Sequence, residues 1–234
     1  MNEHISSAYD RDLEAIHALI MKMGGMVEHA ILEAASALEA RDVDAADVVR
    51  KADKAIDALE EQINEEAART IALRAPVSKD LRTLLSVLKL ASSLERVGDY
   101  AKNMAKRTPI LAETKPINGT DAALRRMSKE VQSMLREALD AYVRSDVALA
   151  EQVRQRDLEV DQMYNALFRE FLTFMMEDPR NISACMHMHF IAKNVERMGD
   201  LVTNMAEQVI YMVTGEMPDE DRPKLSSTAA ATPE

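Results

Sequence analysis

Leu94-Glu95-Arg96-Val97-Gly98-Asp99-Tyr100-Ala101-Lys102-Asn103-Met104-Ala105 returns as Val195-Glu196-Arg197-Met198-Gly199-Asp200-Leu201-Val202-Thr203-Asn204-Met205-Ala206, with seven of twelve positions identical at an offset of 101. Both copies lie inside long proline-free runs rich in Leu, Ala, Met and Val, which predicts helix for both. On a helix the acids of Glu-Arg-x-Gly-Asp stand at i and i+4, on one face. Such like charges repel, at roughly 0.2–0.5 kcal/mol per pair. Each Asn, Asn103 and Asn204, extends the same ridge by four residues. Two acids and an amide, presented twice, suit a hard cation; a solvated acidic face is the alternative.

Outward from these copies the chain divides into matching halves. Apolar positions at helical spacing predict a first helix over residues 10–39, interrupted by Gly24-Gly25. Two internal glycines cost about 2 kcal/mol relative to Ala, so a kink or a close helix crossing is expected there. Asp42 reads as the N-cap of a second helix over 43–73. Pro76 breaks it, Ser78 reads as the next cap, and a third helix covers 79–107. Pro109, Pro116 and Asn118-Gly119 mark residues 108–120 as a linker. Helices over 121–143, 147–177 and 180–214 follow, with a turn at Ser145-Asp146, a cap at Asp178-Pro179 and a stop at Gly215.

The duplication reaches beyond the motif. Asp42, Val43, Ala46, Val49, Arg50, Asp53 and Asp57 recur at an offset of 104 as Asp146, Val147, Ala150, Val153, Arg154, Asp157 and Asp161. The prediction is therefore an all-α fold of two tandem three-helix repeats. The first spans residues 1–107, the linker 108–120, the second 121–216, and a polar, Pro-containing tail over 217–234 is expected to be disordered.

Composition agrees. The 234 residues are 47% hydrophobic but only 4% aromatic, without Trp, a balance that disfavours sheet. A formal charge of −11 disfavours nucleic acid and anionic membranes and favours cations or basic partners. Cys185 is alone, which excludes a disulfide framework and a cysteine-built zinc site. No apolar run reaches the roughly 20 residues that span a bilayer, and a polar start is unlike a signal peptide, so a cytoplasmic location is expected.

On the third and sixth helices Gly98 and Gly199 fall on the apolar stripe, where a missing side chain admits a neighbouring backbone. Glu95 and Glu196 lie about 60° round the helix, so the acid ridge flanks the core. Asp53 with Asp57, and Asp157 with Asp161, add i,i+4 acids from the second helix of each repeat. They are candidate ligands for the same ions, or partners for Arg and Lys on neighbouring helices. His189 shares the Glu196 ridge as a possible further ligand. Glu14-x-x-His17 is half of a di-iron motif, but no second Glu-x-x-His exists, which argues against a carboxylate-bridged metal enzyme. Phosphate-loop, nucleophile-elbow and dinucleotide fingerprints are absent. Cys185 lies on the core stripe, and no catalytic constellation emerges.

The chain resembles the PhoU family over roughly residues 5–216. The resemblance rests on Ala75-Pro76-Val77-Ser78-Lys79-Asp80-Leu81-Arg82, Leu94–Ala105, Glu177-Asp178-Pro179-Arg180, Ala192–Asp200 and Val213-Thr214-Gly215-Glu216. It implies a non-enzymatic cytoplasmic negative regulator, homodimeric, linking the ATPase subunit of a phosphate ABC transporter to a sensor histidine kinase. Contact with the membrane would be indirect, through those partners. It also implies metal binding at Glu95, Asp99, Glu196 and Asp200, the ion being Fe, Mn, Mg or Zn; all-oxygen ligation by itself admits Mg, Mn, Ca or Fe. Leu201 stands where many relatives carry His after Gly-Asp. A purely structural helical adaptor without metal is the alternative.

Overall fold

Helix follows helix in the order α1 (Asn2–Ala40), α2 (Val43–Arg74), α3 (Ser78–Ala105), α4 (Thr108–Ala112), α5 (Thr120–Arg144), α6 (Val147–Glu177), a 3-10 turn (Pro179–Asn181) and α7 (Ile182–Thr214). This computed structural model describes residues 2–117 and 119–218, with side chains from residue 8. Among the described residues there is no strand. The expected disordered tail lies outside the described residues, apart from Met217 and Pro218.

Three helices of each repeat pack mutually: α1, α2 and α3 in the first, α5, α6 and α7 in the second. The repeats join through equivalent helices, α1 on α5 and α3 on α7. The core is continuous between them, from Ile16, Ile20 and Met23 to Val195, Val202 and Val209.

The turns explain the helix ends. Asp42 Oδ1 accepts from the Ala45 amide at 2.9 Å and Asp146 Oδ1 from the Leu149 amide at 3.0 Å, each satisfying a donor that the first turn leaves open. Before each Asp, Arg41 (φ 55°) and Ser145 (φ 52°) take the left-handed turn. Ser78 departs from expectation. Val77 is the residue before α3, no side chain caps it, and Ser78 is the first helical residue at φ 50°. A capping side chain needs extended backbone at the N-cap, a geometry that Val77 has and Ser78 lacks. The expected linker is also partly folded, since α4 buries Thr108 and Leu111. Arg41 holds it: its guanidinium donates to the Leu111 carbonyl, to Thr114 Oγ1 (3.2 Å) and to Asp121 Oδ2 (3.1 Å). At the other end, Asp178 caps the 3-10 turn that carries Pro179, so α7 begins only at Ile182.

α1 runs unbroken through Gly24-Gly25, and a close crossing accounts for the first glycine. A Cβ on Gly24 would lie 2.4 Å from Leu139 Cδ1 of α5, whereas Gly25 faces open space. Over Ala8–Ala40 this helix is long and apolar enough to cross a membrane by composition. Its apolar side is nevertheless spent on the core, with Ile16, Ile20, Met23, Val27 and Ile31 buried. Gly98 and Gly199 repeat one packing: a Cβ would stand 3.1 Å from Ile56 Cδ1 on α2 and 3.3 Å from Val160 Cγ1 on α6.

Candidate functional site

Because Gly98 lets α2 close on α3, the acids of the two helices come together. Asp53 is 4% exposed and faces α3. There Lys102 Nζ donates to Asp53 Oδ2 and, at 2.8 Å, to Asp99 Oδ1. Asp53 Oδ1 is buried without a hydrogen-bond partner. Burial, then the charges of Asp99, Glu60, Asp57 and Asp53, push the Glu95 carboxyl up to about 7. Burial and Asp53 likewise raise Asp57. Asp53, Asp57, Glu95 and Asp99 thus act on one another electrostatically, and Asp53 pairs with a lysine of the neighbouring helix. Asn103 turns away from these acids, its Oδ1 accepting from Lys106 Nζ at 3.1 Å.

Two further groups beside these acids were not singled out in the sequence. Glu60 lies one helical turn beyond Asp57 on α2, a spacing that could have placed it with the other acids. Lys102 is three residues from Asp99, but its bond to Asp53 is visible only once the helices pack. It holds its proton more firmly than a free lysine, chiefly through those two carboxylates.

The second repeat builds the same frame with a different cation. Asp157 is 8% exposed, and Asp161, Glu196 and Asp200 are half-buried. Lys102's counterpart is Thr203, fully buried, whose hydroxyl donates to the Gly199 carbonyl at 3.0 Å. The lysine comes instead from the preceding turn: Lys193 Nζ donates to Glu196 Oε1 at 2.6 Å, while Glu196 Oε2 is buried without a partner. Arg154 on α6 pairs with Glu151 at 2.7 Å and Glu207 at 3.4 Å. Asn204 is exposed.

His189 lies in an aromatic cluster, its ring 5.2 Å from Phe168 and 5.9 Å from Tyr164 between centroids. Burial and then Lys193 lower its pKa and favour neutral imidazole. His17 stacks on Tyr142 at 5.0 Å and also titrates low through burial, which accounts for it by packing. Cys185 is buried, and burial keeps its thiol protonated.

The donor chemistry of both sites, carboxylate oxygens with buried unsatisfied lone pairs on Asp53 and Glu196, fits a hard cation. In the geometry as folded, ammonium groups stand against these acids. Among the described residues no three His, Cys, Asp or Glu side chains gather in a metal-ligating cluster. Lys102 in the first site and Lys193 in the second would compete with a metal for these carboxylates.

Comparison with known proteins locates this architecture. The PhoU domain family matches residues 20–108 and 124–209, one domain for each repeat. A phosphate-specific transport system accessory protein PhoU homolog from Caulobacter vibrioides (strain NA1000 / CB15N) is 45% identical over 225 residues, covering 96% of this chain and 98% of that protein. The homolog from Rhizobium meliloti (strain 1021) is 42% identical over 226 residues, covering 97% and 95%. The crystal structure of PhoU from Pseudomonas aeruginosa superposes with a TM-score of 0.86 at 39% identity, covering 89% of this chain and all of that one. That of the phosphate transport system regulatory protein PhoU from Streptococcus pneumoniae gives 0.84 at 30% identity, covering 90% and 99%. With two matched domains, helices in the same arrangement and relatives aligned along nearly its full length, the chain belongs to the PhoU family.

Proposed function

We propose that this protein is a non-enzymatic cytoplasmic adaptor that restrains phosphate-starvation signalling, linking the ATPase subunit of a phosphate transporter to a sensor histidine kinase. One observation carries it: relatives matched over more than nine-tenths of the chain are named accessory proteins of the phosphate-specific transport system. An adaptor reports a change of state in its partner only by binding the states with different affinities, and a coupling of about 1–3 kcal/mol suffices. A homodimer would present two copies of each acid row.

Metal is the second part of the reading. Asp53, Asp57, Glu95 and Asp99 would hold one ion, and Asp157, Asp161, Glu196 and Asp200 another, with Fe, Mn, Mg and Zn the candidates. Bound metal would supply positive charge, neutralising the acid rows and changing the field shown to a basic partner. The lysines favour a rival reading at the first site, a purely structural adaptor whose acids are neutralised from within, since Lys102 already bridges Asp53 and Asp99.

Two experiments test these readings. A deletion strain carrying a phosphate-regulon reporter should show raised output in phosphate-replete medium, restored to low by the wild-type gene; low output in the deletion overturns the regulatory assignment. Metal analysis of protein purified without chelator should find metal that falls in Glu95→Ala/Asp99→Ala and Glu196→Ala/Asp200→Ala. Metal-free wild-type protein that binds none of the four ions leaves the structural adaptor.

A further inference from the structure

The offset of 104 that relates Asp42 to Asp146 also runs back along α1 and α5. Ile20, Met23, Val27, Ile31 and Ala34 are buried, and so are Leu124, Met127, Val131, Leu135 and Ala138. The cleft between α1 and α2 can therefore be matched residue by residue with the cleft between α5 and α6.

In the second repeat that cleft is filled. Arg156 reaches from α6 to α5, its Nε donating to Glu130 Oε1 at 2.9 Å and its Nη1 to Glu137 Oε1 at 2.5 Å. Ser133 Oγ steadies Glu137 from the same helix at 3.2 Å. In the first repeat the counterpart of Arg156 is Ala52, that of Glu130 is Met26, and that of Glu137 is Glu33. The arginine is gone and one of its acids has become methionine, but the other acid is kept. What remains is an open groove of about 310 Å³, walled by Met26, Ala30, Val48, Val49 and Ala52 with Glu33 and His29 on its α1 side. Val48 is 67% exposed, and among the described residues Glu33 makes no ion pair.

We propose that the α1–α2 groove is a docking site for a partner protein's helix that presents an arginine among apolar residues. The arginine enters to meet Glu33 as Arg156 meets Glu137. The proposal rests on the adaptor reading above and names the surface and chemistry of one contact. Charge complementarity sets the sign of the occupant: a lone carboxylate beside an apolar wall, on a chain of net charge −11, selects a cation with apolar flanks. Guanidinium is favoured over ammonium because it is planar, weakly hydrated and able to lie against apolar side chains while forking onto a carboxylate. Met26 gives the wall a side chain that adapts to its occupant.

Rebuilding the second repeat's ion pair in the first makes the test. Ala52→Arg with Met26→Glu fills the groove from within the chain, so its melting temperature should equal or exceed that of wild type. Glu33→Arg, a change at an exposed position, serves if the double variant fails to fold. Wild type and variants are titrated separately against the purified transporter ATPase subunit and the cytoplasmic part of the kinase. The filled variant should bind one of them about tenfold or more weakly, and Glu33→Arg should do the same. Wild-type affinity of the folded variants for both partners overturns the groove and leaves the adaptor reading standing. If wild type itself binds neither partner, the adaptor reading fails and the groove falls with it. A shift of wild-type dimer to monomer on filling the groove would assign it to a second copy. Faster maleimide labelling of Val48→Cys after removal of residues 219–234 would assign it to the chain's own tail. Either result also overturns the partner helix.

Discussion

The two repeats hold equivalent acids in equivalent places and neutralise them differently. In the first, Lys102 comes from the motif itself and spans Asp53 and Asp99 across two helices. In the second, Thr203 takes that position and turns inward to Gly199, while Lys193, one turn earlier, holds a single oxygen of Glu196. The packing that creates the cleft is the same, because Gly98 meets Ile56 as Gly199 meets Val160. The difference teaches that the duplicated frame is constrained by close helix contact, whereas the counter-charge inside it is free to change. The first site carries a cation of its own between two acids of different helices, Lys102 between Asp53 and Asp99.

Lys102→Thr, which gives the first repeat the second's residue, should have the largest effect. Asp53 is almost fully buried, so removing its ammonium leaves a desolvated charge. Because Lys102 and Asp99 are partly exposed, the expected loss is about 2 kcal/mol, or about 4–8 °C in melting temperature. Excess Mn²⁺ should recover much of it in the variant and little in wild type. A variant as stable as wild type without metal would show that Lys102 is not the counter-ion of the site.

Gly98→Ala and Gly199→Ala probe what the repeats share. Each new methyl would press on Ile56 or Val160, while alanine's helix propensity returns about 1 kcal/mol. A net destabilisation of about 1 kcal/mol is expected in each, slightly more at Gly98, where the gap is 3.1 Å against 3.3 Å. Urea unfolding reads both. A large loss in one and none in the other would break the equivalence of the two helix crossings.

Much of this could be read from the chain because the deciding signals are local. Asp42 and Asp146 announce their helices through bonds to amides three residues on, and the acid pairs at i,i+4 declare their own ridge. Ser78 misled because the residue type suits a cap while its φ of 50° does not, and backbone conformation is not written in the residue name. α4 was hidden by Pro109, which marks a break yet also suits the first turn of a short helix. Lys102 was not singled out because its bond to Asp53, 49 residues away, follows from tertiary packing alone.

The smallest effect sharpens the comparison through pH. The Glu95 carboxyl is raised from its ordinary 4.5 to about 7, first by burial and then by Asp99, Glu60, Asp57 and Asp53. A carboxyl with a raised pKa binds its proton more tightly in the folded state than in the unfolded one. Its contribution to stability is thus fully present below about 4.5 and is lost as pH rises through about 7. Metal-free protein should therefore lose stability from this group between those values, against a background set by the other acids. Glu95→Gln keeps the shape, removes the charge and the titration, and relieves the i,i+4 repulsion with Asp99. At pH 8 it should stabilise the metal-free protein by about 0.5 kcal/mol, and below pH 5 it should change nothing measurable. Melts across pH 4.5 to 8, with wild type and variant in parallel, give the difference directly. A gap between the curves that does not widen as pH rises from 4.5 to 7 would show that Glu95 is not held by the burial and crowding of the first site.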